Sequence, residues 1–238
     1  MKNLFTILIF SLFINNLNAQ IEIVHPPNWW IGFENQTLQI LVKGEKINQY
    51  NVSVDYPGVN LKQVHKADSE NYLFVDLNIS NLSEPGIFKL KFKSANRELE
   101  YNYKLDNKRN LNEQNNGFDS SDVIYLITPD RFANGNYSND IIKGLKEDRI
   151  NRDDNYARHG GDLQGISDNI DYLKDMGFTS LWLNPVLIND MKEGSYHGYA
   201  TTDYYTVDPR LGTMEDYLNL STIAEKNNIK LIKDIIVN

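Results

Sequence analysis

The chain has 238 residues, 41% hydrophobic and 24% charged, which makes it globular with room for one or two domains and a sizeable core. Its formal net charge of −8 argues against nucleic acid or an anionic membrane as partner, since both need a basic footprint, and favours a neutral or cationic ligand. With no Cys in the sequence, disulfides, thiolate catalysis and Cys-ligated metals are excluded.

The first residues read as a targeting segment. Lys2 gives a charged start, and Leu4 to Leu17 is an apolar stretch shorter than the roughly 20 residues of a membrane span. Leu17-Asn18-Ala19 is an acceptable cleavage site. This pattern predicts a signal peptide over 1–19 and an exported product, periplasmic or secreted. A buried N-terminal helix is the alternative.

Residues 20–106 carry short β-rich runs separated by turn residues: Leu38 to Val42, Asn51 to Val54, Tyr72 to Leu77 and Phe88 to Phe92. Strands at this spacing, without a helical period, predict an all-β, antiparallel, immunoglobulin-like sandwich. Pro26-Pro27-Asn28-Trp29-Trp30 reads either as an exposed sugar platform or as core packing. Residues 107–119, rich in Asn and charge, mark a linker.

From 120 to 238 the period changes. Val123 to Ile127 is a continuous apolar run of the kind buried on both faces. Asp162 caps a helix with Leu163, Ile166, Ile170 and Leu173 on one stripe and Gly177 at its end. Phe178 to Leu183 is the next strand. A second helix begins at Thr213, with Asp216 completing a capping box, and turns Tyr217, Leu220 and Ile223 inward as far as Asn227-Asn228. Leu231 to Val237 is a third strand. The series predicts parallel βα units, in a barrel or an open sheet.

Two loops carry candidate chemistry. Ser195 to Thr213, leaving the second strand, concentrates Tyr196, His197, Tyr199, Tyr204, Tyr205, Asp203 and Asp208, whose ring faces and hydrogen-bonding tips suit a sugar. A structural Tyr-rich loop is the plainer reading. In the other loop, Asn134, Asn136, Asn139, Asp140 and Asp162 are hard oxygen donors around a glycine turn, suited to Ca²⁺ or to turn formation alone.

The motifs Tyr125 to Gly135 (YLITPDRFANG), His159 to Ile166 (HGGDLQGI), Leu181 to Pro185 (LWLNP), Tyr196 to Tyr199 (YHGY), Tyr204 to Gly212 (YYTVDPRLG) and Asp234 to Asn238 (DIIVN) follow one another in this order. Together they resemble the α-amylase family of glycoside hydrolases, family 13. A preceding sandwich with Pro27-Asn28-Trp29-Trp30 is similar to the neopullulanase and cyclomaltodextrinase branch. The resemblance implies a sandwich followed by the first part, three βα units at most, of an α/β (β/α)₈ TIM barrel. It implies retaining hydrolysis of α-glucosidic bonds in maltodextrins, pullulan or cyclodextrins. Tyr199 matches a tyrosine that stacks on glucose at the cleavage subsite, His197 a histidine that hydrogen-bonds that sugar, and Asp234 a member of the active-site charge network. Asn134, Asn136, Asn139, Asp140, Asp162 and the carbonyl of Gly160 match a structural calcium site. A homodimer through the N-terminal domain is the assembly the branch suggests.

In the family the nucleophile and the acid/base follow later strands, so both are expected beyond Asn238, with no catalytic carboxylate in this sequence. A barrel takes roughly 250 residues, and the sequence is therefore expected to be an N-terminal part that is inactive and poorly folded on its own. The alternative is a non-catalytic glucan-binding module or a gene remnant.

Overall fold

The structure, a computed structural model, describes residues 21–108 and 117–237. The signal segment expected at 1–19, most of the expected linker and Asn238 lie outside the described residues. The described residues form two compact units, one on each side of residue 110. Among them, no helix is long and apolar enough to cross a membrane.

Alternating apolar and polar residues build the first unit. Its strands are β1 (Ile21–His25), β2 (Asn28–Ile31), β3 (Thr37–Gly44), β4 (Asn51–Val54), β5 (Val59–Lys66), β6 (Tyr72–Ile79), β7 (Gly86–Lys93) and β8 (Glu98–Asn107). They form two four-stranded sheets, in the orders β1-β3-β6-β5 and β2-β8-β7-β4. Leu38, Ile40 and Val42 of β3 and Leu73, Val75 and Leu77 of β6 meet Phe88, Leu90 and Phe92 of β7 in one buried cluster, so the period of two becomes the inner face of a sandwich. The antiparallel expectation needs one correction, because β2 and β8 pair in parallel. Trp29 packs on the core with its ring centroid 5.2 Å from Phe33, whereas Trp30 is 38% exposed.

The second unit contains three parallel strands, β9 (Ile124–Ile127), β10 (Ser180–Leu183) and β13 (Lys230–Lys233), which neighbour one another in chain order. Sequential parallel order with intervening helices is the winding of the first units of a (β/α)₈ barrel. Between β9 and β10 lie α1 (Pro129–Phe132), α2 (Leu163–Asp168) and α3 (Ile170–Asp175). After β10 come a hairpin of β11 (Leu187–Ile188) with β12 (Asp203–Val207), and then α4 (Met214–Lys226). The stretch after Ser195 is thus not loop throughout, since it supplies a strand.

The expected first helix is divided. Leu163, Ile166, Ile170 and Leu173 all reach the core as the stripe requires, but Asn169, at φ −108° and ψ 19°, separates α2 from α3. Its side-chain amide donates to the Gly165 carbonyl and its backbone N–H to Ile166 and Ser167, tightening the turn there. The capping box of Thr213 and Asp216 is formed. Burial of β9 on both faces is corrected. Tyr125 and Ile127 pack against the helices, while Ile124 is 39% and Leu126 54% exposed.

At the N-terminal ends of the three strands a polar staple joins them. Asp122 accepts from the Lys230 ammonium at 2.7 Å and from the Thr179 hydroxyl at 2.8 Å, and Thr179 in turn accepts the Val123 N–H. The Lys230 bond first, then the Asp119 N–H and the Thr179 hydroxyl, hold the Asp122 carboxyl far below the usual carboxylate range. A depressed folded-state pKa adds stability that is fully present above the unfolded value, near 3.9, and is lost as pH falls below it. Asp122→Asn should therefore lower the melting temperature at neutral pH, with the gap to the parent narrowing below about pH 4. A gap that stays constant down to pH 2 would contradict this assignment.

Candidate functional site

The candidate ligand-binding residues gather at the C-terminal ends of the parallel strands, where loops of this architecture build sites. Asn184, directly after β10, donates to the carbonyl of His197 at 3.4 Å. His197 closes a short 3₁₀ turn, Ser195–His197, bounded by Gly194 (φ 72°) and Gly198 (φ 79°). The Tyr199 N–H donates to His197 Nδ1 at 2.9 Å, which selects the neutral tautomer carrying its proton on Nε2 and leaves that nitrogen as a donor. The two rings lie 5.8 Å apart at an interplanar angle of 26°.

Asp234, the first residue after β13, holds this arrangement from the other side. Its Oδ2 accepts the Tyr199 hydroxyl at 2.8 Å and the Trp182 indole N–H at 3.2 Å. Burial, followed by the neighbouring carboxylate, raises the Tyr199 phenol above its ordinary value, so it stays neutral and donating. With Tyr199 40% and Trp182 41% exposed, the result is an open shelf with ring faces, an imidazole donor and a carboxylate already engaged in orienting them. The structure thus brings His197, Tyr199 and Asp234 together. Trp182 joins them unforeseen, because within LWLNP it reads as one more apolar strand residue.

A buried charge network adjoins the turn that leads to His197. Arg210 is fully buried and donates to both oxygens of Asp208 (2.9 and 2.7 Å), to the Asn189 carbonyl at 2.8 Å and to the Glu147 carbonyl at 3.4 Å. Arg158, 1% exposed, lies 3.4 Å from Asp130, which also pairs with Arg131. The Arg131 guanidinium in turn sits 3.8 Å from the centre of the Tyr196 ring. Burial lowers the Arg158 pKa, and the Asp130 charge opposes that shift.

The oxygen-donor residues fall into two sets. Asn134 donates to Asp140 Oδ1 at 2.7 Å, and a Cβ on Gly160 (φ 85°) would lie within 3.0 Å of both side chains. The side-chain oxygens of Asn134 and Asn139 are buried without a partner, and that of Asn134 belongs to an amide in contact with a carboxylate, donors of the kind a hard cation takes. Asp162 is engaged elsewhere: Oδ1 accepts from Gly165 (2.6 Å) and Gly135 (3.1 Å), and Oδ2 from Asn136 (2.8 Å), so it caps α2 and ties down the glycine turn. Asn136 bends toward Ser138, accepting from its N–H and its hydroxyl. The structure therefore brings Asn134, Asp140 and Gly160 together, adds a partnerless oxygen on Asn139, and gives Asp162 and Asn136 the task of shaping the turn.

Comparison with known proteins agrees with this architecture. A model of the cyclomaltodextrinase N-terminal domain matches residues 23–110, and a model of the α-amylase catalytic domain matches residues 126–238. The chain is 44% identical over 119 residues to a β/α-amylase of Paenibacillus polymyxa, covering 50% of this chain and 10% of that protein. It is 40% identical over 116 residues to a cyclomaltodextrinase of Thermoanaerobacter pseudethanolicus, covering 49% and 19% respectively. A solved α-amylase structure from Anoxybacillus has 44% sequence identity, with coverage of 49% of this chain and 24% of that one and a TM-score of 0.44. By these matches residues 126–238 belong with the catalytic domain of the α-amylase family of glycoside hydrolases, and residues 23–110 with the cyclomaltodextrinase-type N-terminal domain. It spans about a fifth or less of the length of these two curated relatives.

The shelf depends on the backbone at Gly198. Its left-handed conformation is strained for any other residue, and a Cβ there would overlap the Pro185 carbonyl oxygen. Gly198→Ala should cost roughly 1–3 kcal/mol in denaturant unfolding of the second unit. An unchanged midpoint would show that the turn can adopt another conformation.

Proposed function

We propose that the second unit is the part of an α-glucan hydrolase that positions the sugar, with maltodextrins, pullulan or cyclodextrins as substrates. The observation that carries this reading is the shelf formed by His197, Tyr199, Asp234 and Trp182 at the C-terminal strand ends of a family-matched barrel segment. The Tyr199 ring supplies a face for the C–H side of a glucose unit, and His197 Nε2 donates to a hydroxyl. Asp234 fixes the tyrosine in place.

Retention at the anomeric carbon needs two carboxyl groups about 5 to 5.5 Å apart, one acting as nucleophile and one as acid/base. The carboxylates of the shelf region have other tasks. Asp208 is locked by Arg210, Asp203 accepts from Tyr205 and Thr206, and Asp234 holds Tyr199 and Trp182. In this reading the bond-breaking pair comes from other segments, and the residues described here bind and orient. The pattern of residues 1–19 supports export as part of the same proposal.

We propose further that Asn134, Asn139, Asp140 and the Gly160 carbonyl hold Ca²⁺, with Asp162 and Asn136 completing the set by small turns of their side chains. The ion would satisfy the two partnerless amide oxygens and fix the loop after α1.

The sugar reading is tested by calorimetric titration of the chain with maltotriose. Tyr199→Ala should weaken binding about five-fold or more, as loss of roughly 1 kcal/mol of stacking predicts, and Tyr199→Phe should be milder. Equal losses in both would place the role in the hydroxyl. No binding by the parent would remove the reading altogether.

The calcium reading is tested by melting temperature. Added Ca²⁺ should raise it by mass action, and Asp140→Ala should abolish the rise. A parent indifferent to both calcium and chelator would refute the site.

A further inference from the structure

Glu147 lies outside every motif that carries the family resemblance, yet it is 5% exposed. It sits in the connection between α1 and α2, and its Oε2 accepts the backbone N–H of Ser195 at 2.8 Å. Ser195 is the first residue of the turn that ends at His197, and it is buried and held at both backbone polar groups. Its N–H goes to Glu147, and its carbonyl accepts from the Asn189 side chain at 3.2 Å. The residue before Glu147 grips the same stretch one step earlier. The Lys146 N–H donates to Asp190 Oδ1 at 2.8 Å and the Lys146 ammonium to the Asp190 carbonyl at 3.1 Å. The Glu147 carbonyl accepts from Arg210, so the backbone that presents the carboxylate is anchored in the buried network. Two adjacent residues of one connection thus fix two points of the segment that leads into the shelf.

We propose that Glu147 is a positioning residue for the ligand-binding turn, acting through the Ser195 amide on His197 and Tyr199. This rests on the reading of those two residues as the sugar-binding pair. The chemistry is that of a cap: a carboxylate oxygen satisfies the first N–H of a turn that has no side chain of its own to do so. The bond sets where the turn starts, the turn sets the direction of the His197 ring, and His197 Nδ1 takes the Tyr199 N–H. Reach is what matters, and charge alone does not suffice, because the acceptor must touch one particular amide.

Two variants separate reach from charge. Glu147→Gln keeps an oxygen at the same distance and loses the charge, whereas Glu147→Asp keeps the charge and falls one methylene short. Amide hydrogen exchange of the chain, followed by NMR without ligand, should show Ser195 protection within about two-fold of the parent in Glu147→Gln and faster exchange by about ten-fold in Glu147→Asp. The ring resonances of His197 should move in the Asp variant and stay in the Gln variant. Maltotriose affinity should follow the same order.

The reverse order, with Asp parent-like and Gln disturbed, would mean that Glu147 serves only the charge balance of the network and would overturn the proposal. So would equal disturbance by both, the mark of simple packing. If the exchange pattern holds but the parent binds no maltotriose, the sugar reading fails while the hold of Glu147 on the turn stands.

Discussion

A guanidinium removed from water must find partners for its N–H groups, and Arg210 does so by drawing three stretches of chain to one point. Asp208 meets it with both oxygens, Asn189 with its carbonyl, and Glu147 with its carbonyl from a connection more than sixty residues earlier in the chain. Loss of one partner of such a buried pair costs on the order of 3–5 kcal/mol, because the survivor is left charged and unpaired. The path of these loops is therefore tied to one buried charge. Asp130, Asp208 and Glu147 face Arg131, Arg158 and Arg210 in the same region, so the carboxylates and guanidinia balance in number as well as in geometry.

On this base the two candidate sites divide the work differently. The shelf combines side chains of strands and strand ends, Trp182 in β10 and Asp234 after β13, with His197 and Tyr199 of the loop that Asn184 holds. The oxygen-donor cluster lies on loops, tied to the start of α2 through the Asp162 carboxylate and the turn at Gly135, and it leaves two amide oxygens without partners. A site of that kind gains more order from a ligand than a site on strands does, because fewer of its atoms are already fixed.

What could be read from the sequence was local. Asp162 and Thr213 cap their helices with side chains that each accept an N–H three residues on, so spacing alone reveals them. The apolar stripe through Leu163 and Leu173 was equally plain, but the break at Asn169 was not, since it depends on a side-chain amide competing with the helix ladder. β5 escaped notice because its edge position and the irregularity between Leu61 and Gln63 blur the alternation of VNLKQVHK. The parallel pairing of β2 with β8 joins residues more than seventy apart, which no short-range pattern encodes. Of the candidate site, the residues carried by motifs were legible. Trp182 and Glu147 were not, because a strand tryptophan and a loop glutamate look ordinary until distant partners give them a role.

The indole of Trp182 shares Asp234 Oδ2 with the Tyr199 hydroxyl, which places the single tryptophan of the second unit inside the shelf. An excited indole is sensitive to the charge and solvation beside its N–H, so a molecule that displaces water from Tyr199 or draws on Asp234 alters the light this residue emits. Trp29 and Trp30, in the first unit, supply a background against which that change is read. The molecule thus carries its own optical probe of the shelf, and occupancy can be followed without attaching any label.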